Sequence, residues 1–380
     1  MVTGSPFLIY AVCFALGIAA GFFMHRSDYC VAGMFRDAFM FRSTFMLRTL
    51  FLQVVVTMAL FEVARLAGLL PLFPFPLLGF PSLSNIIGGF IFGVGMVMAG
   101  GCVVGTLYKM GAGSMVSGVA FVGLLLGSAV YAEIHPLWAS FMKATGFFKG
   151  SKSIPQLTGI SPTLFVVIIG SFSVFLFLRW RKEGKWERPS EVKGYIQPWK
   201  TAVSLAFIGL LSYLAVGMPL GITTTYAKMA AMIENLFSPD HVSSVAFFQG
   251  MPLNVVHPSS GALLQGGAGP QFDAVWAIQF PIIAGIVLGS ALSAILLREF
   301  ALRYQVPFSQ FAMALCGGIL LGLASRMAPA CNVWHLMGGL PILAIQSILF
   351  LVGLVPGTWV GSKIVSQLIL KQSISAAENS

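Results

Sequence analysis

The chain alternates between long apolar runs and short polar breaks. A bilayer core takes about 20 mostly apolar residues per helix. Nine runs meet that length: Pro6–Met24, Thr44–Ala67, Asn85–Tyr108, Ser114–Ala132, Pro162–Leu178, Thr201–Val216, Asp273–Leu297, Ser309–Arg326 and Pro341–Gly361. Three shorter apolar pieces, Val31–Phe41, Thr223–Leu236 and Val242–Val256, are too short to span and read as interfacial or re-entrant helices. Such backbone is tolerated at membrane depth only where protein or a water-filled cavity surrounds it. The pattern predicts an all-α polytopic membrane protein with about nine transmembrane helices.

A polar segment, Arg179–Lys200, divides the chain into residues 1–178 and 201–371, and a polar tail, residues 372–380, is expected to be unstructured. A fifteen-residue pattern of the first half recurs in the second, six of its positions identical. Gly88, Gly89, Gly93, Met98, Ala99 and Cys102 are matched in order, without a gap, by Gly317, Gly318, Gly322, Met327, Ala328 and Cys331. A membrane chain that repeats itself in this way suggests two related halves.

Composition narrows the class. Hydrophobic residues make up 57% of the 380 residues and charged ones 9%, where a soluble domain carries roughly a quarter charged. The net charge of +10 would suit nucleic acid if it were clustered. It is instead spread between apolar runs, so orientation and lipid contact account for it, and no nucleic-acid partner is expected. With the N-terminus outside, 16 of the 22 Lys and Arg fall on the inner side. They include Arg26, Arg36, Lys109 and the basic residues of Arg179–Lys200, whereas Arg65, Lys143, Lys149, Lys152, Lys228 and Arg326 fall outside. The positive-inside rule then predicts an outer N-terminus and an inner C-terminus. It also makes the two repeat copies antiparallel, as an inverted-topology repeat requires. The first apolar run has no basic residue before it and reads as a membrane helix rather than a cleaved leader.

The glycines of the repeat form small-x-x-x-small patterns, whose ordinary role is close helix packing. Packing does not explain the ends of the two copies. Gly100, Gly101, Cys102 and Gly105 form one corner; Pro329, Ala330 and Cys331 form the other. Glycine pairs and proline weaken helices. Breaks at matching points of two inverted halves point to a transporter's binding site, where freed N–H groups attract anions. Cys30 follows the first run, beside Arg26 and Arg36, in a basic setting that favours an anion. Lys109 and Arg326 flank the repeat cysteines, where an ionisable group is functional or snorkels to the interface. His241, His257 and His335 lack ligand spacing, no C-x-x-C exists, and neither a metal nor a cofactor is expected.

These residues carry a resemblance. Gly88-Gly89-x-x-x-Gly93 with Met98-Ala99-Gly100-Gly101-Cys102-x-x-Gly105 resembles the signature of the YeeE/YedE family of sulfur-transport membrane proteins. Arg26-Ser27-x-x-Cys30 with Arg36-Asp37, and Arg326-Met327-Ala328-x-x-Cys331-Asn332, are similar to its other two cysteine motifs. The resemblance implies an hourglass-shaped inverted-repeat protein of the bacterial inner membrane that takes up thiosulfate. It implies a substrate path through Cys30, Cys102 and Cys331, supported by Gly101, Gly105, Ala330, Lys109, Arg326 and Arg26. A small soluble cytoplasmic sulfur-carrier protein is an implied partner. The long loop Pro239–Phe272 is closer to a branch linked with selenium or other sulfur species. The alternative from another class is a membrane thiol or persulfide oxidoreductase, against which stands the absence of a closely spaced resolving cysteine.

Overall fold

A computed structural model describes residues 6–148, 150–190, 192–256, 261 and 263–378, with side chains from 8 to 368. Lys149 and His257 lie outside these residues. The first half folds into α1 (Pro6–Ser27), α2 (Val31–Met40), α3 (Phe45–Leu66), α4 (Leu83–Met98), α5 (Val103–Gly111), α6 (Met115–Ala144), α7 (Ile154–Thr158) and α8 (Pro162–Lys182). The second half contains α9 (Pro198–Val216), α10 (Thr223–Asn235), α11 (Pro239–Ser244), α12 (Ala246–Gln249), β1 (Leu253–Val256), β2 (Leu263–Gly266), α13 (Ala274–Leu296), α14 (Phe308–Met327) and α15 (Ile345–Glu378). Among the described residues nine helical segments are long and apolar enough to cross a membrane. The chain is therefore a multi-pass membrane protein.

The helix starts follow local chemistry. Ser82 and Asn85 form a capping box at α4, with the Ser82 N–H donating to Asn85 Oδ1 at 3.0 Å. Asp273 caps α13 by accepting the Trp276 N–H at 3.1 Å. Proline occupies the first turn of α8 and of α9, where its missing N–H costs nothing.

Three expectations are corrected. Val242–Val256 is no single short helix: α11 ends at Ser244, α12 is four residues long, and the chain then enters a two-stranded antiparallel hairpin pairing Leu253 with Gly266. Gly250 and Pro252 stop the helical pattern there. The last run starts at Ile345 rather than Pro341, because a π-helical turn over Val333–Gly339 and a short 3-10 turn precede it. The tail is helical as far as Glu378, since Ser-Ala-Ala-Glu contains nothing that ends a helix.

The packing is matched across the two halves. Helix α4 packs on α15 and α14 packs on α6; α2 meets α15 and α10 meets α6; α1 meets α13 and α3 meets α9. The registers agree too. Gly89 and Gly93 abut Phe350 and Leu354, while their counterparts Gly318 and Gly322 abut Ala120 and Leu124. At the centre α4 and α14 cross antiparallel. Gly88 lies against Ala328, and Gly317 against Ala99, so each copy presses its first glycine on the other's last alanine. A methyl on Gly88 would sit 2.6 Å from the Ala328 Cβ. The glycines are thus required by backbone approach, as small residues are in membrane interiors. Helix α8 stands apart: only 6% of its most apolar window is buried, and its contacts are with α3.

Candidate functional site

The two inter-repeat corners lie at the ends of the crossing helices α4 and α14. Helix α4 ends at Met98, and Gly100 turns the chain through a left-handed conformation at φ +70°. Cys102 then becomes the N-cap of α5, its sulfur accepting the Gly105 N–H at 3.3 Å. Helix α14 ends at Met327; Ala330 adopts φ +133°, unusual for a residue with a side chain. Cys331 follows, with the N–H groups of Val333 and Trp334 directed at its sulfur. Cys30 repeats the arrangement as the N-cap of α2, with the Gly33 N–H on its sulfur. Each of these three buried cysteines therefore faces N–H groups at the start of a helical turn, where partial positive charge gathers.

Tertiary structure brings Cys30 and Cys102 together. Both sulfurs border Gly105. Gly105 makes this possible, because a methyl at that position would stand 2.6 Å from the Cys30 sulfur and 3.3 Å from the Cys102 sulfur. Gly101 lies against the backbone of Gly105 and Thr106, so it seats α5 against the corner.

Cavities open towards the cysteines from two sides. One, of about 370 Å³, reaches Cys30 and is lined by Arg26, Arg36, Lys109 and Arg188 together with Asp28, Asp37 and Glu299. Some of these charges are already engaged. Arg36 pairs with Asp37 at 2.8 Å, and Asp28 accepts the Tyr108 hydroxyl at 2.8 Å. Lys109 donates to the Gly100 carbonyl at 2.7 Å, at the end of α4, and Arg26 donates to the Gly194 carbonyl at 3.2 Å. The second cavity, of about 500 Å³, reaches Cys331 and Ala330. Arg326, Thr223, Thr224, Gln279 and Trp334 line it, and among the described residues no carboxylate does. Arg326 is 9% exposed and donates to the hydroxyls of Thr223 and Thr224. No acidic side chain pairs with it among the described residues. A smaller apolar cavity of about 40 Å³ touches Cys102 and shares Gly221 and Ile222 with the second.

This geometry can attract a small anion from either side and offer it a series of thiols and N–H groups. A family model described as Sulphur transport matches residues 26–360, which takes in all three cysteine corners. The chain belongs to the sulphur transport family. Two relatives extend the comparison over almost the whole length. A thiosulfate transporter TsuA of Spirochaeta thermophila is 27% identical over 364 residues, covering 90% of this chain and 95% of the relative. A thiosulfate transporter TsuA of Escherichia coli is 26% identical over 360 residues, covering 92% of each. Both relatives of this sulphur transport family member are named as transporters.

Sequence reasoning left several neighbours of the cysteines out. Asn332 approaches the Cys102 thiol from the opposite corner. Tyr226 lies within charge-interaction range of both Cys102 and Cys331. The run Thr223-Thr224-Thr225 ahead of Tyr226, three hydroxyls opening a re-entrant helix, was the available signal. The histidines sort as polar partners. His335 is buried, bonded to Ser347 at 3.0 Å and stacked on Phe350. His241 lies between Glu234 at 2.5 Å and Glu133 at 3.6 Å, one carboxylate on each ring nitrogen. One ligand atom from each of Glu133, Glu234 and His241 lies within 4.8 Å of the others, a spacing that could hold a metal ion.

Proposed function

We propose that this protein takes up thiosulfate, or a sulfur anion of similar size and charge, across the bacterial inner membrane along a path through Cys331, Cys102 and Cys30. The observation that carries this reading is the placement of three thiols at helix N-termini, one reaching each cavity and one between them. The cavity at Cys331 faces the periplasm, the basic cavity at Cys30 faces the cytoplasm, the N-terminus is periplasmic and the C-terminus cytoplasmic. Residues 1–178 and 201–371 are two inverted halves, a reading supported by the antiparallel crossing of α4 and α14.

The physics of the substrate suits such a path. Thiosulfate is a dianion with one soft terminal sulfur. Removing its water in a narrow apolar neck is costly unless donors replace the hydration. Backbone N–H groups at Gly33, Gly105, Val333 and Trp334 replace part of it. Thiols are weak donors with polarizable sulfur, and several weak sites in series let an ion enter without trapping it. Arg326 in the cavity at Cys331 draws the anion in, and Arg26 and Lys109 in the cavity at Cys30 draw it out towards the cytoplasm. Ala330 and Gly101 shape the corners. The basic cytoplasmic face also suits a small soluble sulfur-carrier protein that receives the anion. The names of the two relatives favour thiosulfate over a selenium species.

Uptake of ³⁵S-labelled thiosulfate by cells without another thiosulfate importer tests the reading. Expression of the wild type should confer uptake and Cys102→Ala should remove it. Equal uptake by Cys102→Ala would refute the thiol path.

A further inference from the structure

Buried polar groups in folded proteins nearly always find partners, and an exception asks for an explanation. Around the corners of this protein several exceptions gather. Tyr226 is fully buried, and its hydroxyl has no partner. Asn332 is fully buried; it approaches the Cys102 thiol, yet neither its amide nitrogen nor its oxygen makes a hydrogen bond. The indole N–H of Trp334 and Nε of Arg326 are unpartnered as well, and both residues line the cavity at Cys331.

A comparison within the molecule sharpens the point. Tyr108 is a second buried tyrosine beside the thiols, close to Cys30 and Cys102. Its hydroxyl is engaged, donating to Asp28 at 2.8 Å. Tyr226, close to Cys102 and Cys331, has no such acceptor. An unsatisfied buried donor is destabilising, so a phenylalanine would be the better residue at 226 if folding were the only demand. The same holds for an apolar residue of similar volume at 332. The donors among these groups, the Tyr226 hydroxyl, the Asn332 amide N–H and the Trp334 indole N–H, lack an acceptor, and a ligand rich in acceptor oxygens supplies one.

We propose that the Tyr226 hydroxyl and the Asn332 amide hold the oxygen end of the anion as it passes between Cys331 and Cys102, while the thiols meet its terminal sulfur. The assignment rests on the uptake function proposed above and makes these two residues the selectors for sulfur anions that carry oxygens. Asn332 belongs to one corner and lies near the thiol of the other, so it links the two half-sites. Tyr226 sits in the first turn of α10, among its buried residues.

The test compares wild type, Tyr226→Phe and Asn332→Leu, using ³⁵S-thiosulfate uptake and thermal unfolding of the purified protein with and without thiosulfate. A donor to a charged ligand is worth about tenfold to a hundredfold in affinity. Each variant should unfold at or above the wild-type temperature without ligand. Each should lose the thiosulfate-induced rise in that temperature and take up thiosulfate at least ~10-fold more slowly. Uptake within twofold of wild type, with the rise retained, overturns the assignment and leaves the transport function standing. Absence of thiosulfate uptake by the wild type itself overturns both. Should Tyr226→Phe fail to fold, the hydroxyl has a structural partner and its part of the assignment falls; Asn332→Leu then decides the amide separately.

Discussion

Gly105→Ala puts a single methyl group beside two thiols. That methyl would stand 2.6 Å from the Cys30 sulfur and 3.3 Å from the Cys102 sulfur. Comfortable non-bonded contact between heavy atoms needs about 3.5–4.0 Å, so the Cys30 sulfur must withdraw by roughly 1 Å. Overpacking of this kind costs about 1–3 kcal/mol. Alanine in place of glycine within a helix returns up to about 1 kcal/mol. The net loss of stability is therefore small, roughly 0–2 kcal/mol, and the variant should fold. The path should suffer more, because the Cys30 sulfur would be displaced. A misplacement of 1 Å costs about 100-fold where reacting groups must be positioned, and a loss of that order in thiosulfate uptake is expected. Gly33→Ala is the control: it sits at the corresponding turn of α2, but its methyl would meet only the Cys30 Cβ, at 3.9 Å. Thiosulfate uptake and unfolding temperature should be measured for both variants. Wild-type uptake by folded Gly105→Ala, or equal damage from Gly33→Ala, would refute the steric reasoning.

Other outcomes follow from the same geometry. Arg326→Gln removes the cation in the cavity at Cys331, and should raise the KM for thiosulfate about tenfold or more, the effect of 1.4 kcal/mol in affinity. Lys228 is fully buried and donates to the carbonyls of Gly269 and Gln271 at 2.6 and 2.7 Å and to Asp273 at 2.9 Å. Lys228→Met should lower stability, read by denaturation, because it removes three buried hydrogen bonds and the ion partner of Asp273, which keeps only the N–H groups of Gly267 and Trp276. Gly317→Leu should prevent assembly of the α4–α14 crossing, seen as loss of folded protein on size-exclusion chromatography. The carboxylates of Glu234 and Glu133 raise the pKa of His241 above its usual 6.5. The tie it makes between α6, α10 and α11 is therefore fully present below pH 6.5 and is lost as the pH rises through the raised value. Unfolding temperature should fall over that window, and His241→Gln should flatten the change.

Most of the architecture was legible in the chain. Nine apolar runs became nine spans because a bilayer fixes both the length and the polarity of a crossing helix. Matching glycines announced a repeated pattern, and the proline and glycine pairs announced where its helices break. The region after Pro239 was not legible: an apolar run of that length is ambiguous between helix and strand, and Gly250 with Pro252 decided for a hairpin.

The sequence by itself determined the membrane class and showed the repeated glycine–cysteine pattern, since these are matters of composition, length and identical spacing. Only the tertiary structure decided that Cys30 and Cys102 border the same glycine, that Asn332 lies near the other corner's thiol, and that Tyr226 is buried near them without a partner. The reason is physical. Periodicity and spacing report what a residue does to its own helix, whereas these contacts join groups on different helices, and they exist because glycines let backbones approach closely. Burial without a hydrogen-bond partner is likewise a property of the packed interior, where an unmet donor marks the place of a missing acceptor.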